Sequence, residues 1–320
     1  MKIEVTLGID VGGTNTKFGF VDRTGNCIVQ SSMLTLADQK ADKYFDRLYS
    51  EVDALYATLL NNYILKGVGV GAPNANYYSG TVENPPNLNW GIVEVVKILN
   101  NYFKVPTAIT NDANASAIGE MLFGAAKGMK DFIVITLGTG LGSGIVADGK
   151  LVYGADGFAG ELGHTVFDIN GRECGCGKKG CLETYASATG IKRTVMELLS
   201  KSNEKSLLRD ISFNLLESKT ICNAALEGDK IAIEAFEFTG KVLGQKLSDA
   251  VAVTSPEAII LFGGLALAGD LIIKPTKKSL EKNLFHVFRN KVKLIPSGLP
   301  EGESGVLGAS ALIWNELMHK

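Results

Sequence analysis

The chain has 320 residues, more than one hydrophobic core usually organises, so we expect two domains. Its composition, 46% hydrophobic and 21% charged with 37 glycines, is ordinary for a globular enzyme apart from the excess of glycine. The net charge of −2, with no basic run, no apolar stretch of roughly 20 residues and no leader-like start, argues against nucleic acid and membranes as partners and favours a cytoplasmic location.

The first half of the chain is predicted to alternate strands and helices around a glycine-rich hairpin. Runs of β-branched and aromatic residues favour strands, clusters of glycine and asparagine favour turns, and apolar residues at helical spacing favour a helix. In chain order, the predicted elements are a strand over 3–9, a turn over 10–17, a strand over 18–21, a helix from Tyr44, strands over 67–71 and 107–110, and an alanine-rich helix that follows Asn111-Asp112 and ends near Gly124.

The second half repeats the plan of that hairpin. Its predicted elements are strands over 133–137 and 145–147 around a glycine-rich loop, a helix over 231–253, a strand over 258–262 that runs into Gly263-Gly264, and a helix over about 305–318. Two such hairpins predict an internally duplicated α/β architecture with a ligand between the halves. We place a small domain at 1–112, joined by the last helix at about 305–320, and a large domain at 113–304.

Both glycine-rich loops contain the residue types that bind phosphate groups. A nucleotide's phosphates need closely approaching N–H groups, which residues without a side chain permit, together with hydroxyls and a cation. For either loop alone, a structural β-turn is an equally good interpretation. The candidate residues are Gly12, Gly13, Thr14, Lys17, Gly138 and Thr139.

Two familiar nucleotide motifs do not fit these loops. The glycines of 138–144 alternate strictly, so the dinucleotide pattern fails at Ser143 and a Rossmann dehydrogenase is disfavoured. The run 144–150 resembles a Walker loop, but Leu151 stands where serine or threonine is required. Asp10 lies at a strand end, where its carboxylate could hold Mg²⁺ or close an Asx turn.

A cluster of cysteines predicts a metal site. Cys174, Cys176 and Cys181 lie within eight residues among glycines, and His164 lies ten residues before them. Three thiolates and one imidazole form a closed tetrahedral set for zinc, which would make the ion structural and not catalytic. Three buried or redox-active thiols are the alternative interpretation.

Four polar residues are candidates for sugar binding. Asp112 and Asn111 lie between a strand and a helix, where they could reach a ligand or could simply cap the helix. Glu161 and Glu183 lie next to the predicted metal ligands, so an ion that fixes those loops would also fix these carboxylates against sugar hydroxyls. A solvated acidic surface is the alternative for the two glutamates.

Four segments together carry a family resemblance. They are GIDVGGTNTK at 8–17, NDANASAIGE at 111–120, GTGLGSGIVADGKLVYGADGFAGELGH at 138–164, and CGCGKKGCLETYAS at 174–187. In these segments the chain resembles the ROK family (repressor, open reading frame, kinase) over nearly its whole length, and it is most similar to the bacterial glucokinases.

The resemblance implies an actin-like ATPase fold, also called ribonuclease H-like, in which two α/β domains close over ATP and a sugar, usually in a homodimer or homotetramer. It implies that Asp112 is the general base that accepts the proton of the sugar 6-hydroxyl. It also implies a structural zinc ion and Mg²⁺-ATP at the phosphate loops. The implied sugar-binding residues are Asn84, Asn111, Asp112, Glu161, His164 and Glu183, and the implied nucleotide residues are Asp10, Gly12, Gly13, Thr14, Lys17, Gly138, Thr139, Gly263 and Gly264.

The chain departs from the family in one segment and leaves the sugar open. Many relatives have G-x-P-G where this chain has Gly71-Ala72-Pro73-Asn74, shortly before Asn84. Glucose is the expected substrate, with N-acetylmannosamine, fructose or mannose as alternatives. A sugar-responsive transcriptional regulator would carry an added N-terminal DNA-binding segment, and a non-catalytic sensor would be expected to lose Asp112 or the phosphate glycines, so both are disfavoured.

Overall fold

The computed structural model describes residues 2–319, and within them the chain forms two compact units. The first unit comprises the chain up to Met129, the segment Leu151–Ala159 and the chain from Gly298 onward. The second unit comprises Lys130–Lys150 and Gly160–Ser297. Among the helices that the structure describes, none is long and apolar enough to span a membrane.

The first unit is built on a five-stranded sheet in the order β3-β2-β1-β4-β8. Strand β1 pairs antiparallel with β2 and parallel with β4, which pairs parallel with β8. A small sheet, β5-β6-β7, lies in the same unit. Its elements are β1 (Ile3–Val11), β2 (Asn15–Asp22), β3 (Cys27–Leu34), α1 (Ala41–Ala57), β4 (Tyr63–Gly71), β5 (Ala75–Asn76), β6 (Thr81–Glu83), β7 (Ile92–Val93), α2 (Val95–Phe103), β8 (Thr107–Thr110) and α3 (Asp112–Leu122).

The second unit is built on a sheet of the same plan, in the order β11-β10-β9-β12-β13. Strand β9 pairs antiparallel with β10 and parallel with β12, which pairs parallel with β13. The remaining elements, with the last helix belonging to the first unit, are β9 (Phe132–Leu137), β10 (Leu141–Ala147), β11 (Lys150–Leu151), α4 (Ala188–Lys201), α5 (Ser218–Leu226), α6 (Lys230–Thr254), β12 (Ala258–Phe262), α7 (Asp270–Asn283), β13 (Lys293–Pro296) and α8 (Ser304–Met318).

The two matching sheets confirm the predicted duplication. In each, an antiparallel hairpin with a glycine-rich turn is followed by parallel strands, and the turn lies at the carboxyl end of the first strand. Parallel strands buried on both faces need continuous apolar sequence, and Ala258, Ile259, Ile260 and Leu261 of β12 are all at most 1% exposed. Ligands of open α/β sheets bind outside the carboxyl ends of the strands, so this edge of each sheet is where a site is expected.

Helix α8 packs on the first sheet at very short range. A Cβ atom added to Gly69 of β4 would overlap the carbonyl oxygen of Ala309, and Thr6 and Ser310 share a buried hydrogen bond of 2.6 Å. The glycines of this sheet therefore allow the backbone of the helix to approach the backbone of the strands.

Two of the differences from the predicted bounds concern the candidate site. Strand β1 continues past Ile9 and pairs Asp10 with Lys17, so the first turn contains only the residues between Val11 and Asn15. Helix α3, predicted in the large domain, lies in the first unit. There it packs against α8 through small residues, since a Cβ on Gly119 would lie 3.0 Å from Cα of Gly308.

Candidate functional site

The turn between β1 and β2 is fixed by hydrogen bonds at both of its ends. Gly12 donates its N–H to the carbonyl oxygen of Asn15 at 3.1 Å, and the Thr35 hydroxyl donates to the carbonyl oxygen of Gly12 at 2.7 Å. The Thr14 side chain is exposed, and Lys17 donates from Nζ to the carbonyl oxygen of Gly302 at 3.3 Å. The predicted phosphate residues Gly12, Gly13 and Thr14 thus form one preorganised turn.

Asp10 lies beside this turn and carries a perturbed carboxyl group. Burial raises the pKa of Asp10 to about 6, the negative charge of Asp112 adds to the rise, and the Lys17 ammonium opposes it. A carboxylate that is costly to ionise alone is stabilised by a bound cation. Asp10 could therefore hold a metal ion at the carboxyl end of β1.

Asn111 and Asp112 lie at the start of α3, where Asn111 caps the helix and Asp112 is its first residue. The Asn111 Oδ1 atom accepts the backbone N–H of Asn114 at 2.7 Å, so the residue does cap the helix. This use leaves its amide nitrogen available as a donor to a ligand. The Asp112 side chain is exposed to solvent, yet the protein atoms around it raise its pKa by desolvation, and Ala113 N–H donates to its Oδ1 atom at 2.9 Å.

Asn114, in the first turn of α3, is a buried polar residue to which sequence reasoning gave no role. It is 1% exposed, and neither its amide nitrogen nor its amide oxygen has a hydrogen-bond partner among residues 2–319. Buried polar groups are nearly always paired with protein or water, so this unpaired amide in the first turn of α3 marks a place for a water molecule or a ligand. The signal in the sequence is one large polar residue inside the alanine-rich run 112–118.

Asn84 also lies in the first unit, in an exposed loop beside the turn. Its backbone has a left-handed φ of 45°. The same loop reaches Asn87, whose Cβ atom would lie 3.1 Å from a Cβ atom built on Gly13. The loop therefore lies against the turn Gly12-Gly13-Thr14, which we call the phosphate-type turn.

In the second unit, the four predicted metal ligands come together. His164 Nδ1 lies 3.7 Å from the Cys174 sulfur, the Cys176 and Cys181 sulfurs are 3.6 Å apart, and the four ligand atoms all lie within 4.8 Å of one another. Tetrahedral zinc with sulfur bonds of about 2.3 Å holds its thiolates about 3.8 Å apart. The group therefore fits a zinc ion, and His164 would bind it through Nδ1 with Nε2 left for another partner.

Glu183 is fixed between this group and β10. Its Oε2 atom accepts the backbone N–H of Leu141 at 3.0 Å, and its Oε1 atom lies 3.7 Å from the Cys174 sulfur. A Cβ atom on Gly140 would overlap Oε2, so the glycine permits this approach. Glu161 precedes a 3-10 turn in which its carbonyl oxygen accepts the N–H of His164 at 3.1 Å. Glu183 thus contacts the metal-type group of four predicted ligands through its side chain, and Glu161 contacts it through its backbone.

The two remaining predicted nucleotide segments, Gly138-Thr139 and Gly263-Gly264, lie at one edge of the second sheet. Strands β9 and β12 are parallel neighbours, with Thr136 opposite Phe262, so the loops that follow them leave the same edge. Gly138 donates its N–H to the carbonyl oxygen of Gly140 at 3.1 Å, and Leu265 donates to the carbonyl oxygen of Leu137 at 3.1 Å. These bonds bring Gly138-Thr139 and Gly263-Gly264 close to each other.

Comparisons with known proteins identify the family and the fold of the chain. A family model described as "ROK family" matches residues 6–316. A glucokinase of Halalkalibacterium halodurans is 36% identical over 86% of this chain and 84% of its own. The crystal structure of a ROK family glucokinase from Streptomyces griseus, in complex with glucose and AMPPNP, has a TM-score of 0.81 and 33% identity over 96% of this chain and 98% of its own. A ROK family transcriptional regulator, a homologue of the E. coli MLC protein, has a TM-score of 0.88 and 25% identity over 98% of this chain and 78% of its own.

Proposed function

Because this chain belongs to the ROK family, with an actin-like ATPase fold, we propose that it is an ATP-dependent hexose kinase whose preferred substrate is glucose. The observation that carries the proposal is Asp112, a solvent-reachable carboxylate with a raised pKa at the carboxyl end of β8. A general base works best when its pKa lies near the operating pH, and burial moves an aspartate in that direction.

The reaction asks the protein mainly for positioning and for charge stabilisation. In the first unit, the Asn111 amide nitrogen donates to the sugar, Asn84 contacts it, and the Asp112 carboxylate orients the 6-hydroxyl. As the hydroxyl oxygen bonds to the γ-phosphorus, the bond from that phosphorus to the β-phosphate oxygen breaks and Asp112 takes the proton. Gly12, Gly13, Thr14 and Lys17 of the same unit bind the phosphates, and Asp10 binds their Mg²⁺.

The residues proposed from the second unit have the following roles. Glu161, Glu183 and the His164 Nε2 atom bind sugar hydroxyls, and His164, Cys174, Cys176 and Cys181 hold a structural zinc ion that keeps these residues in place. Gly138 and Thr139 bind the phosphates, while Gly263 and Gly264 border the adenosine.

The test is ADP release with Mg-ATP and a panel of glucose, mannose, fructose, N-acetylglucosamine and N-acetylmannosamine. We expect the highest kcat/KM with glucose, because hydrogen-bonded recognition of hydroxyls discriminates strongly. A preference for an N-acetylated sugar would refute glucose as the preferred substrate but would still support a sugar kinase activity. No ADP release with any sugar would refute the kinase.

A transcriptional regulator is the second candidate, favoured by the TM-score of 0.88 with the MLC homologue. Such a protein would bind a sugar without consuming ATP, and its DNA affinity would change on sugar binding. A gel-shift series with operator DNA, run beside the ADP-release measurement, separates the two functions.

A further inference from the structure

Asn74 joins two loops of the first unit through three hydrogen bonds. Its carbonyl oxygen accepts the backbone N–H of Glu83 at 3.0 Å. Its amide nitrogen donates to the carbonyl oxygens of Glu83 at 3.1 Å and of Asn84 at 3.2 Å. The side chain thus donates hydrogen bonds to two backbone carbonyl groups that lie just past the point where the pairing of β5 with β6 ends, at Ala75 and Val82. We call this set of three bonds the Asn74 bracket.

The backbone at both ends of the bracket has a left-handed conformation. The φ angle of Asn74 is 52° and that of Asn84 is 45°. Asparagine tolerates this region better than other residues with a side chain, but it still costs free energy and persists only where neighbouring contacts hold it. For Asn84 those contacts are its own N–H, which donates to the carbonyl oxygen of Gly91 at 3.1 Å, and the bracket.

The loop held by the bracket lies beside the phosphate-type turn. It runs from Glu83 through Asn84 to Asn87, which lies against Gly13. Both Asn74 and Asn84 have exposed side chains. The backbone that carries the Asn84 side chain is therefore held by the bracket on one side and by the hydrogen bond to Gly91 on the other.

We propose that Asn74 is a positioning residue for sugar recognition, which acts by holding Asn84 in the one conformation that meets the hexose. This inference rests on the proposed function for the identity of the substrate. Asn74 does not touch the reacting atoms, so its loss weakens sugar binding and sugar discrimination while the chemistry at Asp112 continues.

The test compares Asn74→Gly with a matched control, Asn290→Gly. Glycine keeps the left-handed conformation at residue 74 but removes both side-chain hydrogen bonds. Asn290 lies in the second unit, is exposed and also has a left-handed φ, of 59°, so its replacement measures the general effect of an asparagine-to-glycine change.

We expect Asn74→Gly to raise the KM for the preferred hexose about 5- to 30-fold, the range expected for two lost, partly exposed hydrogen bonds. The kcat and the KM for ATP should stay within about twofold of the wild-type values. The ratio of kcat/KM for the preferred hexose to kcat/KM for the other hexoses should fall. Amide hydrogen exchange at Glu83 and Asn84 should accelerate. The control should change none of these quantities.

A native KM for the hexose, or an equal rise in the KM for ATP, would overturn the inference. If the wild-type chain phosphorylates no hexose, the proposed function fails, but the inference about Asn74 can still be tested. Sugar affinities of the wild type and of Asn74→Gly, measured by calorimetry, then show whether Asn74 supports sugar binding. Equal affinities, or no sugar binding by the wild type, would overturn the inference as well.

Discussion

The carboxyl groups of Asp10 and Asp112 interact: the charge of Asp112 adds to the burial that raises the pKa of Asp10 to about 6. Their strands, β1 and β8, run parallel on either side of β4 in the first sheet. Two aspartates at the carboxyl ends of nearby strands repel each other when both are ionised. A cation or a proton bound near them would relieve that repulsion, in line with the proposed proton-accepting, Mg²⁺-dependent site.

Asp112→Asn should lower kcat about 10²- to 10⁴-fold, because the amide cannot accept the proton of the sugar hydroxyl. The KM for the sugar should change little, since the amide oxygen can still accept a hydrogen bond. Steady-state kinetics with glucose and Mg-ATP measure both values. Turnover within a few-fold of wild type would exclude Asp112 as the base.

Asp10 should make the folding stability of the ligand-free protein depend on pH. Its folded pKa of about 6 lies above the ordinary aspartate value of 3.8, so the folded state binds the proton more tightly than the unfolded state. Asp10's contribution to folding stability therefore falls as the pH rises from about 4 to about 6. The total effect is at most about 3 kcal/mol, from 1.36 kcal/mol for each pKa unit.

Urea denaturation of wild type and Asp10→Asn across pH 4 to 7 measures this contribution, with Mg²⁺ and nucleotide left out. The free energy of unfolding of the wild type, minus that of the variant, should fall over this range. Parallel curves for the two proteins would show that Asp10 titrates normally.

The metal-type group should contain one zinc ion per chain in elemental analysis. Cys176→Ser should lose the ion and raise the KM for the sugar by about tenfold or more, because the loops that carry His164 and Glu183 lose their anchor. Cys222→Ser is the matched control, since Cys222 lies in α5 outside this group. A zinc-free Cys176→Ser protein with a native KM for the sugar would show that sugar binding does not depend on the metal.

Gly69→Ala should destabilise the protein by about 2 kcal/mol or more. The added methyl group would overlap the carbonyl oxygen of Ala309, and the backbone of α8 cannot move away without unpacking from the sheet. Gly91→Ala is the control, because no atom lies within 4 Å of a Cβ atom at that position. Chemical denaturation measures both variants, and similar stabilities for the two would contradict the close packing.

Asn114→Leu should leave the stability of the ligand-free protein unchanged or raise it by up to about 2 kcal/mol. The amide of Asn114 is buried without a partner among the described residues, and an unpaired buried polar group costs about 1 to 3 kcal/mol. We expect the same variant to lose activity, since Asn114 lies in the first turn of α3, which begins at Asp112. A loss of stability greater than about 2 kcal/mol would contradict an unpaired amide at this position.

Several features were predictable from the sequence because they depend on residues that are close together in the chain. The glycine-rich turns after β1 and β9 follow from local turn preferences, and their repetition correctly predicted two sheets of one plan. The cysteine spacing brought Cys174, Cys176 and Cys181 within ligand distance of one another and of His164. Local sequence was sufficient there because short chain segments between the ligands leave few other conformations.

The tertiary structure alone decided how the polar side chains are used. Sequence allowed Asn111 either to cap α3 or to bind a ligand, and the fold assigns its oxygen to the cap. The sequence contained no sign that Asn74 would hold Glu83 and Asn84, or that Leu141 would hold Glu183. These contacts join residues 9 to 42 positions apart, and only the folding of the sheets and loops determines which distant backbone groups meet a given side chain.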